Sequence, residues 1–310
     1  MTFEMILKTK MFHVFVKLAT CSVFVTFLLI VAGCGTKGDD IKADLEFSDQ
    51  VDILSTAKGR NISVRVLTPE GCNACPLIIF SHGANAAYDR YDALLLPLAR
   101  AGYRVAAPNH TDSEEHPDRA DFGPPDWLLN RLEDYDVIAS KYETNYRIAA
   151  GHSFGGLVAQ IAGGAEIASA AAQVNPAYRP NAVLAYSPPG PIPNYIEPQG
   201  WSKISVPMLV TMGTEDIVPM MAEQWELHLV SFESAPPNLS FALIYENMDH
   251  YMNGAYGRET DAKSPERDQA LKHMTEASLF FLSKLRSSGT MSAKDWETQE
   301  QTFVETRARS

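Results

Sequence analysis

The hexapeptide Gly151-His152-Ser153-Phe154-Gly155-Gly156 constrains this chain more than any other stretch. It stands between the apolar run Ile148-Ala149-Ala150 and the helix-forming Leu157-Val158-Ala159. A strand that runs into a helix over so short a span must turn within about two residues, and glycines on either side of the serine let backbones approach where a Cβ would collide. Ser153 is then pushed out at the tip of the turn, with the amide of Phe154 at a helix start. An exposed hydroxyl beside such an amide is what acyl transfer needs. The pattern G-x-S-x-G alone also describes a serine that merely caps a helix in a Gly-rich turn. The strand before it, the helix after it and the partners found below select the nucleophile.

From Leu45 onward the chain alternates β-prone and helical stretches. The β-prone ones are 62–67, 77–80, 103–107, 146–150, 182–186, 208–212 and 241–245, mostly short, apolar and ended by Pro or Gly. Strands buried on both faces read this way, and alternation with helices predicts a mainly parallel sheet with right-handed crossovers, an α/β fold. Between Asp126 and Tyr142, Leu128, Leu132, Tyr135, Ile138 and Tyr142 recur at helical spacing and leave Arg131, Glu133 and Lys141 for solvent. Ser264-Pro265 opens a second long helix through Leu271, Met274, Ala277, Phe281 and Leu285, and Gly289 stops it. Pro97 sits oddly inside the first helix, as a kink or a late start. The proline-rich crossover from Ser187 to Ser205 is too short for a cap domain and suits a stiff rim. No repeat, long linker or phosphate-binding Gly-rich loop divides the chain, so one domain is expected over 46–288, with 289–310 a polar, loosely docked tail.

A serine hydroxyl needs a base within hydrogen-bond reach, and the base needs an orienting group. Of eight histidines, His228 and His273 fall on helical stretches, His110 and His116 in a polar loop, and His13 near the start. His250 follows the apolar run 241–245, where the last strand would deliver it to the carboxyl edge of the sheet. The orienting acid should also leave a strand end. Met208 to Met212 runs into Gly213-Thr214-Glu215-Asp216, and Asp216 is preferred over Glu215 and Asp249. A second oxyanion donor should follow an earlier strand, and Phe80-Ser81-His82-Gly83-Ala84 offers the amide of Ala84 to pair with that of Phe154. His82 and His152, each beside a turn, are expected to support it by hydrogen bonding. Tyr88, Trp127 and Tyr251 are candidates for the pocket or for packing at its rim.

Ser153, Asp216 and His250 stand in the chain order of the α/β-hydrolases, which the sequence resembles over about residues 60–286. More narrowly, Phe80 to Gly83, Ala101 to His110, the Ser153 hexapeptide and Met248-Asp249-His250-Tyr251-Met252 resemble dienelactone-hydrolase-like and platelet-activating-factor-acetylhydrolase-like esterases. The resemblance implies an α/β-hydrolase fold without a large cap. It also implies hydrolysis of a small ester with a short to medium acyl chain through an acyl-enzyme, with no metal or cofactor. Dienelactone hydrolases proper use cysteine at the nucleophile, so lactone chemistry is not implied. A lipase or peptidase of the same fold, or an inert binding lipoprotein that keeps the shape, are the competing readings.

The start of the chain is different in kind. Lys8, Lys10 and Lys17 precede the uncharged run 18–32, which ends Val31-Ala32-Gly33-Cys34. This reads as an export signal over 1–33, with initiation at Met1 or Met11, and its end resembles a bacterial lipobox that would leave Cys34 lipid-anchored in the cell envelope. Residues 34–45 would be a tether. Without the signal the chain carries 23 basic and 37 acidic residues, net −14, which argues against nucleic acid as a partner. In an exported chain Cys72 and Cys75 are expected to form a local disulfide. Zinc would need two further ligands, and a redox pair would precede a helix. The oligomeric state is open.

Overall fold

All seven predicted strands form, and two more flank them. A computed structural model of the chain describes residues 44–168, 176–193, 195–219, 221–254, 264–299 and 301–309. The export segment, Cys34 and most of the tether lie outside the described residues. The strands are β1 (Phe47–Ser55), β2 (Asn61–Pro69), β3 (Leu77–Ser81), β4 (Arg104–Pro108), β5 (Arg147–His152), β6 (Ala182–Tyr186), β7 (Met208–Glu215), β8 (Ser240–Asp249) and β9 (Val304–Ala308). They form one sheet in the order β1-β2-β4-β3-β5-β6-β7-β8-β9. The run from β4 to β8 is parallel, and β1, β2 and β9 add antiparallel pairings at the two sides.

The central strands are apolar throughout because both faces are covered. The helices are α1 (Asp92–Arg100), α2 (Pro124–Lys141), α3 (Phe154–Ala162), α4 (Pro198–Trp201), α5 (Val230–Ser234) and α6 (Pro265–Ser288). Leu94, Leu95 and Leu98 of α1 pack with Met274, Phe281 and Leu282 of α6 on one face. Leu128, Leu132 and Ile138 of α2 pack with Leu157 and Ile161 of α3 on the other. The ends of α6 are fixed by local chemistry. Ser264 accepts the amide of Arg267, Pro265 takes the first helical position, and Gly289 closes the helix at φ 74°. Pro97 lies inside α1, which begins at Asp92 after a 3₁₀ turn over Tyr88–Tyr91 and continues past the proline. Cys72 and Cys75 are disulfide-bonded.

Two expectations need correction. Residues after 288 are not a loose tail. Val304–Ala308 pairs antiparallel along β8 from Tyr245 to Phe241, and Trp296 is 1% exposed, packed on Phe241, Phe280 and Phe281. A strand on a sheet edge needs to bury only one flank, so its polar alternation hides it in sequence. Arg131 does not face solvent either; it is fully buried. It lies three residues after Leu128 and four before Tyr135, which puts it on the packed face of α2.

The chain leaves β3 toward β4 on one side and returns through β5 on the other. This opens a crevice at the carboxyl ends of the strands, where doubly wound sheets bind their ligands. The loops carrying Ala84, Ser153, Asp216 and His250 leave that edge from β3, β5, β7 and β8.

Candidate active site

The turn at Ser153 is as tight as its glycines suggest. Ser153 has φ 53°, a left-handed conformation unusual for a side chain with a Cβ. Its amide donates to the carbonyl of Tyr186, and its carbonyl accepts from Gly156 and Leu157 at the head of α3. A Cβ on Gly151 would lie 2.2 Å from the carbonyl oxygen of Gly155, and one on Gly155 would lie 1.9 Å from that of Ser81. Both flanking glycines are therefore sterically required. The serine is partly exposed while its neighbours Gly151 and His152 are buried.

Asp216 and His250 are brought together. His250 Nδ1 lies 2.7 Å from Asp216 Oδ1, with the carboxylate fully buried and His250 6% exposed. A second histidine, which the sequence places on a helical stretch, shares that oxygen. His228 Nε2 is 3.0 Å from Oδ1, at an angle too oblique for a strong hydrogen bond, so the contact is principally electrostatic. Burial alone would raise the Asp216 carboxyl. The contacts and charge of His228 and His250 outweigh it and hold the group well below the usual carboxylate range. These three side chains are also the ligand-type cluster among the described residues whose donor atoms lie within 4.8 Å of one another. Both rings lie within hydrogen-bond or ion-pair distance of the same carboxylate oxygen.

Ser153 is tied to His250 through its neighbour. The amide of Gly83 donates to Tyr91 Oη at 2.9 Å, leaving the Tyr91 hydroxyl to donate to His152 Nδ1 at 3.0 Å; His152 Nε2 then donates to the His250 carbonyl at 2.8 Å. One directed chain of hydrogen bonds thus links the loop after β3, the serine turn and the histidine loop. Burial keeps the His152 imidazole neutral, its pKa well below the ordinary value. A Cβ on Gly83 would lie 3.5 Å from Ser153 Cβ, so Ala84 begins immediately beside Ser153. Among the described residues no hydrogen bond joins Ser153 Oγ to His250; such contacts in unliganded sites often tighten only when substrate binds. Tyr251 packs edge-on against His250 with ring centroids 5.1 Å apart, whereas Trp127 turns its Nε1 to the carbonyl of Phe122.

Arg131 organises the loop after β3 from behind. Its guanidinium holds Asp112 through Nε at 2.9 Å and Nη2 at 2.7 Å, and donates to Ser81 Oγ and to the carbonyls of His82 and Gly83. His82 accepts the amide of His110 on Nε2, so its proton sits on Nδ1, 2.7 Å from the Gly83 carbonyl. With that carbonyl held by Arg131 and His82, the trans peptide turns the N–H of Ala84 the opposite way. The same guanidinium stacks over the Phe154 ring at 4.8 Å. Arg131 therefore contacts Phe154 itself and the carbonyl of the peptide unit that carries the Ala84 amide. Burial would raise Asp112, but Arg131 holds it well below the usual range. Helical spacing contained the signal for Arg131; nothing in the spacing around His228 pointed to Asp216.

His110 is no surface residue. Its Nε2 accepts from Ser81 Oγ at 2.8 Å and its Nδ1 donates to Asp134 Oδ2 at 2.7 Å, a second hydroxyl–imidazole–carboxylate relay. Ser81 is 5% exposed and His110 1%, and Arg131 already occupies the hydroxyl. The space beside them is about 10 Å³, enough for one water at most. This relay is structural.

The fold is similar to that of several solved hydrolases. A thermophilic esterase from Thermogutta terrifontis is 13% identical with a TM-score of 0.56, covering 79% of this chain and 94% of its own. Est1E from Butyrivibrio proteoclasticus, solved with ferulic acid bound, is 17% identical with a TM-score of 0.54, covering 76% and 100%. A candidate dienelactone hydrolase from Klebsiella pneumoniae is 14% identical with a TM-score of 0.54, covering 75% and 98%. No curated protein sequence matches the chain. The model of the alpha/beta hydrolase family matches residues 78–276, most of the sheet together with Ser153, Asp216 and His250, and the chain belongs to that family.

Proposed function

We propose that the chain is a serine esterase acting on small carboxylic esters of short to medium acyl length. Ser153 Oγ bonds to the ester carbonyl carbon while its proton passes to His250 Nε2, and the carbonyl electron pair moves onto oxygen. Asp216, on the other ring nitrogen, fixes the tautomer and stabilises the imidazolium. The amides of Ala84 and Phe154 receive the oxyanion. Collapse expels the alcohol, which takes the proton back from His250 and leaves an acyl-serine; water then repeats the sequence and releases the acid.

The observation that carries this reading is the buried Asp216–His250 contact of 2.7 Å at the sheet edge where the strained Ser153 turn emerges. The acyl-length preference is supported by the short crossover between β6 and β7, which leaves no room for an apolar lid. Export and lipid anchoring at Cys34 belong to the same proposal and rest on the first 34 residues alone. Ser153→Ala should abolish turnover of p-nitrophenyl acetate and butyrate with an unchanged melting temperature; retained turnover refutes the assignment. Fluorophosphonate labelling of Ser153 separates an enzyme from an inert scaffold. Esters of graded length and peptide substrates separate an esterase from a lipase or peptidase.

A further inference from the structure

We propose that His228 is a resident cation behind Asp216, a positioning residue that sets the acid limb of the esterase by opposing protonation of His250. The inference rests on the reading of Asp216 and His250 given above. Its ground is a donor and acceptor count. His228 Nδ1 lies 2.6 Å from the carbonyl oxygen of Pro188, and Nε2 lies 3.0 Å from Asp216 Oδ1. A carbonyl can only accept, and Asp216 Oδ1 already receives His250 Nδ1 at 2.7 Å. A neutral imidazole has one N–H and would leave a lone pair beside one of these two oxygens. Protonation of both nitrogens answers both oxygens, Nδ1 by a hydrogen bond and Nε2 by an ion-pair contact.

The surroundings are built for this. Ser187, buried at the end of β6, is held at φ 45° with its amide bonded to the carbonyl of Thr211, and this left-handed turn delivers the Pro188 carbonyl to His228. Asp216 faces the ring from the loop after β7, and His250 from the end of β8, with Tyr251 packed on His250. His152, at the end of β5, stacks on His250, and Glu226 on His228's own turn is exposed. Asp216 is thus the carboxylate in contact with the ring. Burial would lower the His228 imidazole, yet its interactions with Asp216 raise it above the ordinary histidine value.

The His228 and His250 rings lie 5.7 Å apart across a shared carboxylate. When His250 takes the Ser153 proton, a second positive charge forms beside the first, and the two repel across that distance. Removing a charge at that separation should move the acid midpoint of kcat/KM upward by about one to two pH units.

Two measurements test the proposal. In ¹⁵N-histidine-labelled Ser153→Ala protein, the His228 ring should show both nitrogens protonated at pH 7; a neutral ring at pH 6 overturns it. This readout needs neither turnover nor a change at position 228. Profiles of kcat/KM for p-nitrophenyl acetate should show the upward shift in His228→Gln and His228→Asn. An acid midpoint unmoved within about 0.3 pH unit, with turnover lowered uniformly, reveals a merely structural residue and overturns the proposal, as does a downward shift. If the wild type neither turns over esters nor labels at Ser153, the esterase reading fails, while the NMR result still reports the charge on His228.

Discussion

Replacing Arg131 with methionine keeps the bulk of the side chain and removes its charge, leaving Asp112 ionised in a site with no exposure. Breaking a buried pair from one side costs about 3–5 kcal/mol, because the remaining charge has neither water nor partner. The carbonyls of His82 and Gly83 and the hydroxyl of Ser81 lose a donor as well. These losses share one side chain, so we expect a total of about 4–5 kcal/mol rather than their sum, a large share of a typical domain's stability. Asp112→Asn alone should be costly for the converse reason, a buried guanidinium left short of its counter-charge. The double variant Arg131→Met/Asp112→Asn should be more stable than the two single losses added together, by about 1–3 kcal/mol. Urea unfolding at pH 7.5, followed by circular dichroism, measures all four corners. Asp112 is depressed in the native protein, so its stabilising contribution is present above the unfolded value of about 4 and lost as pH falls through the lower folded one. In Arg131→Met, Asp112 protonates at higher pH, and the gap to wild type should therefore narrow on acidification. With the Gly83 carbonyl that orients the Ala84 amide no longer held by Arg131, kcat should also fall by about 10²-fold, with less change in KM. A single variant within about 1 kcal/mol of wild type, or strictly additive losses, would refute the buried-anchor argument.

Gly155→Ala should cost about 4 kcal/mol or more, because a Cβ 1.9 Å from the Ser81 carbonyl must push α3 off β3; a melting temperature within a few degrees of wild type contradicts this. Trp296→Ala should lose about 3–5 kcal/mol in denaturant unfolding, and near-neutrality would mean that the segment after α6 is not part of the core. His82, His110, His116 and His152 are lowered, mainly by burial, so the unfolded chain binds more protons at these positions as pH falls through about 6.5, and their contribution to stability declines. His228, raised, and Asp134, pushed up to about 6 by burial, act in the opposite sense. The balance predicts a lower melting temperature at pH 5.5 than at 7.5, and a steeper decline in His228→Gln; a flat or rising profile would contradict the balance.

Much of this was legible in the residues. The short apolar runs marked all seven inner strands because a doubly covered strand has no solvent face to confuse the pattern. Ser153, Asp216 and His250 stood out by their places at strand ends. Edge strands β1 and β9 escaped because one flank of each meets water and their composition is that of a loop. Arg131 reads as a solvent residue by its charge, although its helical phase puts it inside; phase is the better guide. His228 could not be found, since it meets Asp216 and Pro188 only when the chain between β7 and β8 folds back over the sheet edge. A contact created by a loop's path leaves no period to read.

The interior relay of Ser81, His110 and Asp134 gives this protein its own negative control. Two alcohols in one chain each sit in a hydroxyl–imidazole–carboxylate setting, and they differ in what else reaches them. Arg131 spends the lone pair of Ser81 and the packed strands deny it visitors, whereas Ser153 stands at an open rim. A single adduct mass after exhaustive treatment with an organophosphorus reagent, mapped to the Ser153 peptide, would show that reactivity here follows vacancy and access rather than the identity of three neighbours.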